Sequence, residues 1–446
     1  MKKLDLIKVF AITAVIASET FAQTIDWSAP NITITTAAQL KEFAAMSING
    51  GNNFRGQTIK LGNNIDLNGN DNNQWTPIGG LEDAFMESFI ENYCNENDCS
   101  ELDEIYDEMF ALYNNLFAFQ GIFDGAGFVV SGIYTDEIDR WWHWIGVGLF
   151  GAVGDEGTIK NLGVSDSYIE SDYRGGGLAG LNNGGTIENC YATIDIDGDH
   201  SVGGLVGWNV YGTIKNCYAT GNVNGFRAGG LVGVTVRGTI TNCYATGNVE
   251  GDAGSSCGGL VGWNDYGTIE NCYAIGNVKG MNVGGLVGNN YNEITSGYYD
   301  SETSGQSDEG KGEPKTTAEM KQQSTYSGWD FANIWAIDPA KNNGYPYLDV
   351  IENAKTPIAK KSTKKTAQTI NFAGIKNGQI NLNLKAGTYT VQLYNLQGRL
   401  VKSVDITATN GINATNLRID NLSKGIFILN VKQAGVSLLK QKITVK

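Results

Sequence analysis

The chain has 446 residues and a formal net charge of −15, with 59 glycines, 7 cysteines and 2 histidines. Residues 351–446 hold 15 basic against 3 acidic residues, while the first 350 hold 17 against 44. A body this acidic repels phosphate backbones and excludes nucleic acid as a partner; the basic stretch reads as solvated linker charge.

The amino terminus has the pattern of a signal peptide over residues 1–22. Lys2 and Lys3 form its charged start, "VFAITAVIA" (Val9–Ala17) its apolar stretch, and small residues permit cleavage after Ala22. That stretch is too short to span a bilayer, and no later segment has the roughly 20 apolar residues a membrane helix needs, so no transmembrane segment is expected. Next, "TAAQLKEFAAM" (Thr36–Met46) predicts a capping helix. Thr36 and Gln39 fit a capping box, and Leu40, Phe43 and Ala44 share a face.

Residues 81–117 interrupt the glycine-rich text. Their apolar residues keep helical spacing, which predicts an acidic helical hairpin with Cys94 and Cys99 at its turn as a candidate disulfide. Carboxylates there, Asp98, Glu101, Asp103, Glu104, Asp107 and Glu108, could hold calcium. Nothing matches an EF-hand loop, and charge on an exposed helix is the simpler explanation.

The central text repeats. The Leu of "GGLVGWN" and its variants recurs at Leu149, Leu178, Leu205, Leu231, Leu260 and Leu286, at intervals of 29, 27, 26, 29 and 26 residues. Between copies stands "GTIxNCYA". Such a period means stacked units, and apolar runs this short and β-branched are strands. Each period is expected to form one turn of a parallel β-solenoid, with glycines at its corners. Equivalent residues then sit one strand spacing apart, about 4.8 Å.

In "TIKNCYAT", strict alternation would point Ile214 and Cys217 to opposite faces. Both positions are apolar in each copy, so a bend is expected near the Asn. The cysteine slot reads Ile133, Leu162, Cys190, Cys217, Cys243, Cys272 and Gly297 from turn to turn. Leu and Ile in the same slot make the cysteines a packing ladder of small buried hydrophobes. Rung-to-rung disulfides are the alternative in an oxidising compartment, although side-by-side neighbours offer poor torsion. The column Asn161, Asn189, Asn216, Asn242 and Asn271 is expected to stack through side-chain amides. No metal site is expected, since paired Cys or His at short spacing are missing from the sequence.

Phrases of the form Gly-Leu-apolar-Gly, "GLAG" at Gly177 and "GLVG" at Gly204, Gly230, Gly259 and Gly285, resemble the GLUG motif. The resemblance extends over roughly residues 31–349. "NNIDLNGNDNNQWTPIGG" (Asn63–Gly80) and "FQGIFDGAGFVVSGIY" (Phe119–Tyr134) look like that family's first coils, and "GWDFANIWAIDPAKNNGYPYL" (Gly328–Leu348) like its closing segment. It implies a secreted or surface-exposed bacterial protein and, by itself, no chemistry. "TTAEM" (Thr316–Met320) offers a second capping box, through Thr316 and Glu319, for the far end of the coil.

Residues 351–369 form a Lys-rich linker. From 370 to 446, alternating strands bounded by turns predict a small β-sandwich. "GTYTVQLYNLQGRLV" (Gly387–Val401), "LSKGIFILNV" (Leu422–Val431) and a Lys-ended last strand resemble the type IX secretion sorting domain. That resemblance implies the secretion machinery as a partner of residues 370–446, and attachment at the cell surface.

The histidines are His143 and His200; no His-Glu-x-x-His and no Gly-x-Ser-x-Gly occurs. Paired carboxylates recurring in a groove, the minimum for glycoside hydrolysis, are not visible either. Trp141, Trp142 and Trp144, with Trp208 and Trp263 after two "GLVG" phrases, are candidate sugar-stacking residues; aromatics plugging a loop onto the coil would look the same. The expectation is an all-β fold: a parallel β-solenoid over residues 24–350 with short capping helices and a helical insertion, then a small sandwich. Its expected role is non-catalytic, in adhesion to extracellular polysaccharide or host glycoprotein, without cofactor. A structural spacer, or a polysaccharide-degrading β-helix, are the alternatives.

Overall fold

The computed structural model describes residues 25–48, 52–70, 72–80, 116–137, 146–252, 254–308, 311–354 and most of 371–445. The segment expected to be a signal peptide, residues 81 to 115 with Cys94 and Cys99, Trp141, Trp142 and Trp144, and residues 355 to 369 lie outside the described residues. The chain divides into two compact units, Met1–Thr356 and Pro357–Lys446.

The first unit is a parallel β-solenoid of about eight turns. One turn reads Thr213–Lys215, Tyr218–Ala219, Val223–Asn224, Arg227–Gly229 and Val232–Val236. Each strand pairs in parallel with its copy in the next turn: Ile187 with Ile214, and Ile214 with Ile240. Identical side chains therefore pile up, and Ile159, Ile187, Ile214, Ile240 and Ile269 are all fully buried, as are Leu178, Leu205, Leu231, Leu260 and Leu286.

The bend near the Asn is a single residue in left-handed backbone. Asn161, Asn189, Asn216, Asn242 and Asn271 have φ of 52–54°. Asn tolerates that region better than most residues. One left-handed residue breaks the strand's alternation, so Ile214 and Cys217 both reach the core.

Register at the first turns differs from the sequence expectation. Gly163 pairs with Val129, which puts Phe128 rather than Ile133 beneath Leu162. Ile133 stands just ahead of a later strand, Tyr134–Glu137, whose Tyr134 pairs with Tyr168. The cause is local: Gly125-Ala126-Gly127 stands where later turns have one Asn, with Ala126 at φ 52° and Gly127 at φ 81°. The longer bend displaces the next strand along the chain.

The Gly-Leu-apolar-Gly phrase is a tight reversal. A Cβ on Gly204 would lie 2.3 Å from the Gly230 carbonyl oxygen, and one on Gly207 2.7 Å from the Gly180 carbonyl oxygen and 2.9 Å from the Arg174 backbone. Backbone packs directly on backbone there, which only glycine permits. Leu205 and Val206 between them fill the core.

The helix Ala37–Ser47 covers the first end of the coil. Leu40, Phe43 and Ala44 are buried, and the Phe43 ring lies 4.4 Å from Phe54 and 5.9 Å from Phe123. Its capping box is incomplete: Thr36 accepts from the Gln39 N–H, but the Gln39 side chain accepts from Thr35, one residue early. At the other end Tyr299 fills the interior above Gly285, and Glu313–Lys315 adds a strand beside Tyr298–Asp300.

Thr317–Met320 has its full capping box, yet it does not close the far end. Met320 joins Tyr326, Trp329, Trp335, Tyr345, Leu348 and Ile351 in a second core against the outward tyrosines Tyr218, Tyr244, Tyr273 and Tyr298. The closing segment thus lines the flank of the coil. Tyr191, Tyr218, Tyr244 and Tyr273 stack beneath it with ring spacings of 5.0, 4.8 and 5.1 Å. With Ile351 buried in the helix Asp349–Ala354, the ordered body runs past residue 350.

The second unit has two antiparallel sheets. Asn371–Lys376, Gln379–Leu384 and Gly411–Arg418 form one; Leu400–Ala408, Gly387–Tyr394, Gly425–Gln433 and Val436–Val445 form the other. Ile380 and Leu382 of the first share a core with Val391 and Leu429 of the second, which makes a sandwich.

Candidate functional site

Cys190, Cys217, Cys243 and Cys272 stand on successive rungs as free, fully buried thiols. The Cys190 N–H points at Cys217 Sγ over 3.4 Å, and the Cys217 N–H at Cys243 Sγ over the same distance. Burial pushes the Cys190 and Cys243 thiols well above their ordinary range. Such thiols are unreactive packing groups. Cys257 lies in another column, one rung beyond Ala228.

The asparagines beside them bond along the axis. Asn189 Nδ2 donates to Asn161 Oδ1 at 3.2 Å, Asn216 to Asn189 at 3.0 Å and Asn242 to Asn216 at 3.2 Å, while Asn161 donates to Asp124 Oδ1 at 3.0 Å. A second polar ladder, missed in the sequence, runs inside the corner at the end of the strand that follows the reversal. Asn182 donates to Asn209 Oδ1 at 2.8 Å, Asn209 to Thr235 Oγ1 at 3.2 Å and Asn264 to Asn290 Oδ1 at 2.8 Å. Asn182, Asn209 and Asn264 also donate to the carbonyls of Gly185, Gly212 and Gly267. Its signal was present: a polar residue four places after the repeated Leu from Leu178 onward.

Trp208 and Trp263 share a column, separated by Val234. Each is half-buried and carries a guanidinium on its ring: Arg174 lies 3.9 Å from the Trp208 centroid, and Arg227 4.9 Å from that of Trp263. The arginine column alternates too, reading Arg174, Ser201, Arg227 and Ser256. This face therefore repeats every two turns. On the rungs between, Val234 separates the two tryptophans and Ser201 the two arginines.

Three positions after each tryptophan is a column that sequence reading passed over: Gly184, Tyr211, Arg237 and Tyr266. The register is set by their N–H groups, which donate to Val210, Val236 and Asp265 for the first three. All four have positive φ, 85°, 53°, 50° and 55°. Left-handed backbone costs a residue with a Cβ about 1–2 kcal/mol, and Gly184 meets the need without that cost. Tyr211 and Tyr266 are nevertheless 58% and 62% exposed, so burial does not offset it. Arg237 Nη1 donates to Tyr211 Oη at 3.1 Å. Exposed Tyr291 links the strip to the tryptophan column, 6.5 Å from Tyr266 and 5.5 Å from Trp263.

Carboxylates recur on one column that the sequence did not reveal. Glu170 pairs with Asp136 on one side and Asp197 on the other. Each is engaged by a neighbour: Tyr168 donates to Glu170, Tyr134 to Asp136 and Asn224 to Asp197. They were hidden because the acids fall in phrases of unlike sequence. Among the described residues no group of three or more His, Cys, Asp or Glu is placed to hold a metal ion. His200 lies between Tyr173 and Phe226, its ring centroid 4.8 and 5.5 Å from theirs.

The turns that carry these reversals also match a known family. The family described as the GLUG motif matches residues 171–197, 198–224, 224–250 and 253–279. Residues 171–279 are GLUG repeats. The secretion system C-terminal sorting domain matches residues 376–446, the greater part of the sandwich. Among curated proteins, one of Evansella cellulosilytica described as a Gly-rich membrane protein is 46% identical over 76 residues, 16% of this chain and 8% of its own length. The chain thus spans under a tenth of that relative. The sorting domain marks the GLUG-repeat chain for type IX secretion and cell-surface attachment, and no helix among the described residues is long and apolar enough to cross a membrane.

Proposed function

We propose that this chain is a non-catalytic surface protein whose solenoid makes contact with glycans outside the cell, as an adhesin does. One observation carries the reading: Tyr211, Arg237 and Tyr266 are kept exposed on strained backbone beside Trp208 and Trp263. Aromatic faces bury the apolar side of a pyranose ring, and a guanidinium donates to its hydroxyls. Trp141, Trp142 and Trp144 are proposed as further stacking residues. Neither matched family is catalytic, which accords with this reading.

The test is retention of the secreted chain on insoluble polysaccharides and on immobilised host glycoproteins, alongside attachment of cells with and without it. Binding to at least one surface is expected. If nothing retains the chain and its deletion leaves attachment unchanged, the spacer reading stands instead. The column Asp136, Glu170 and Asp197 favours a second reading, a polysaccharide-degrading enzyme, because two nearby carboxyl groups are what glycoside cleavage needs. New reducing ends released from a polysaccharide, and lost in Glu170→Gln, would establish it.

A further inference from the structure

We infer that the column Tyr211–Arg237–Tyr266 is a binding site for a neutral, linear β-linked polysaccharide lying along the coil axis, one disaccharide to every two turns. This rests on the glycan-contact reading and names the ligand class and its register.

Three observations converge. The first is period. Tyr211 and Tyr266 are two rungs apart, as are Trp208 and Trp263, and two rungs span roughly 9.6 Å. That is close to the length of a disaccharide unit in an extended β-1,4-linked chain, where alternate sugars are turned over and the same face recurs with every second residue. A surface offering a ring on alternate rungs meets that chain in phase. On the rung between, Arg237 offers donors to the hydroxyl-rich edge of the inverted sugar; of its five, one engages Tyr211.

The second is exposure at a cost. Glycine serves one rung earlier, at Gly184, yet three successive turns keep Tyr, Arg and Tyr in left-handed backbone. No core is gained, since both tyrosines face solvent. Side chains retained against the local backbone preference point to a surface role.

The third is charge. The first 350 residues carry 44 acidic against 17 basic groups. A polyanion approaching this body is repelled at long range, and one strip arginine does not reverse that field. A polycation, drawn by that field, meets the Arg237 guanidinium at the centre of the strip, which leaves a neutral polymer as the ligand.

The experiment is affinity electrophoresis of the secreted chain in gels containing hydroxyethylcellulose, a neutral β-linked glucan, or polygalacturonate, a polyanion. Retardation by the neutral polymer alone is expected. Tyr211→Gly and Tyr266→Gly should each weaken it roughly tenfold, about what losing one aromatic contact does, while the thermal midpoint stays level or rises because glycine relieves the backbone. A structural role would instead lower the midpoint. Retardation by polygalacturonate, or by hydroxyethylcellulose with no loss in the glycine variants, overturns the site while leaving glycan contact standing. Retention on glycoprotein with neither gel retarding does the same; no binding to any glycan overturns both. Sedimentation that shows self-association, abolished by the glycine variants, would assign the strip to a second copy of the chain and overturn the inference.

Discussion

Asn161, Asn189, Asn216 and Asn242 of the bend each do two jobs with one side chain: they tolerate left-handed backbone and bond the rung below. Asn216→Ala should lose both and cost about 2–3 kcal/mol in urea unfolding; Asn216→Gly keeps the backbone freedom and should cost about 1 kcal/mol less. The bend was legible in the sequence because Ile and Cys could not both be apolar on a straight strand. The first-turn register was not, since Gly125-Ala126-Gly127 and a single Asn look equally like a turn on paper. The strip was not legible either: Gly, Tyr, Arg and Tyr have no chemistry in common, and only the backbone angle they share reveals a column. Titration adds a check. Burial raises the Cys190 and Cys243 thiols and the Tyr244 and Tyr273 phenols. Their unfolded forms ionise near pH 8.5 and 10. Between those values and the raised native ones, the unfolded chain holds fewer protons, so stability must fall as pH rises. The urea midpoint should be flat between about pH 6 and 8 and drop steadily above that range.

Among the elements, the closing segment depends on one carboxylate. Asp300 is fully buried, caps the helix Ser301–Ser304 through the N–H groups of Glu302 and Thr303, and accepts from Thr317 Oγ1 and Tyr345 Oη, each at 2.7 Å. Bonds to a charged acceptor are among the strongest available, and removing the acceptor leaves buried donors unpaired. Asp300→Ala should therefore cost on the order of 3 kcal/mol and open residues 316–354 to protease before the coil unfolds. Cleavage no faster than in the wild type would refute that. A capping box announces a short helix, as Thr316 and Glu319 do, but does not say which surface the helix will bury. The deciding signal was the outward Tyr of each "NCYA", a ready-made aromatic row whose cover had to come from elsewhere in the chain.

At the scale of the whole body, each turn contacts its two neighbours, so stability should add up turn by turn. Removing residues 212–237, one period between equivalent glycines, joins Tyr211 directly to Gly238. The shortened chain should still unfold cooperatively, at a modestly lower midpoint. It should also lose retention on β-linked glucan, because Tyr211 and Tyr266 would then occupy adjacent rungs.

The alternation of large and small residues on the tryptophan face also bears on how such a chain lengthens over evolutionary time. A duplication adding one turn would set Trp beside Trp, or leave an arginine with no ring to lie on. A duplication of some 55 residues, the distance from Trp208 to Trp263, keeps every pair in phase. The heritable module of this face is thus a double coil, and longer descendants should gain their turns in twos.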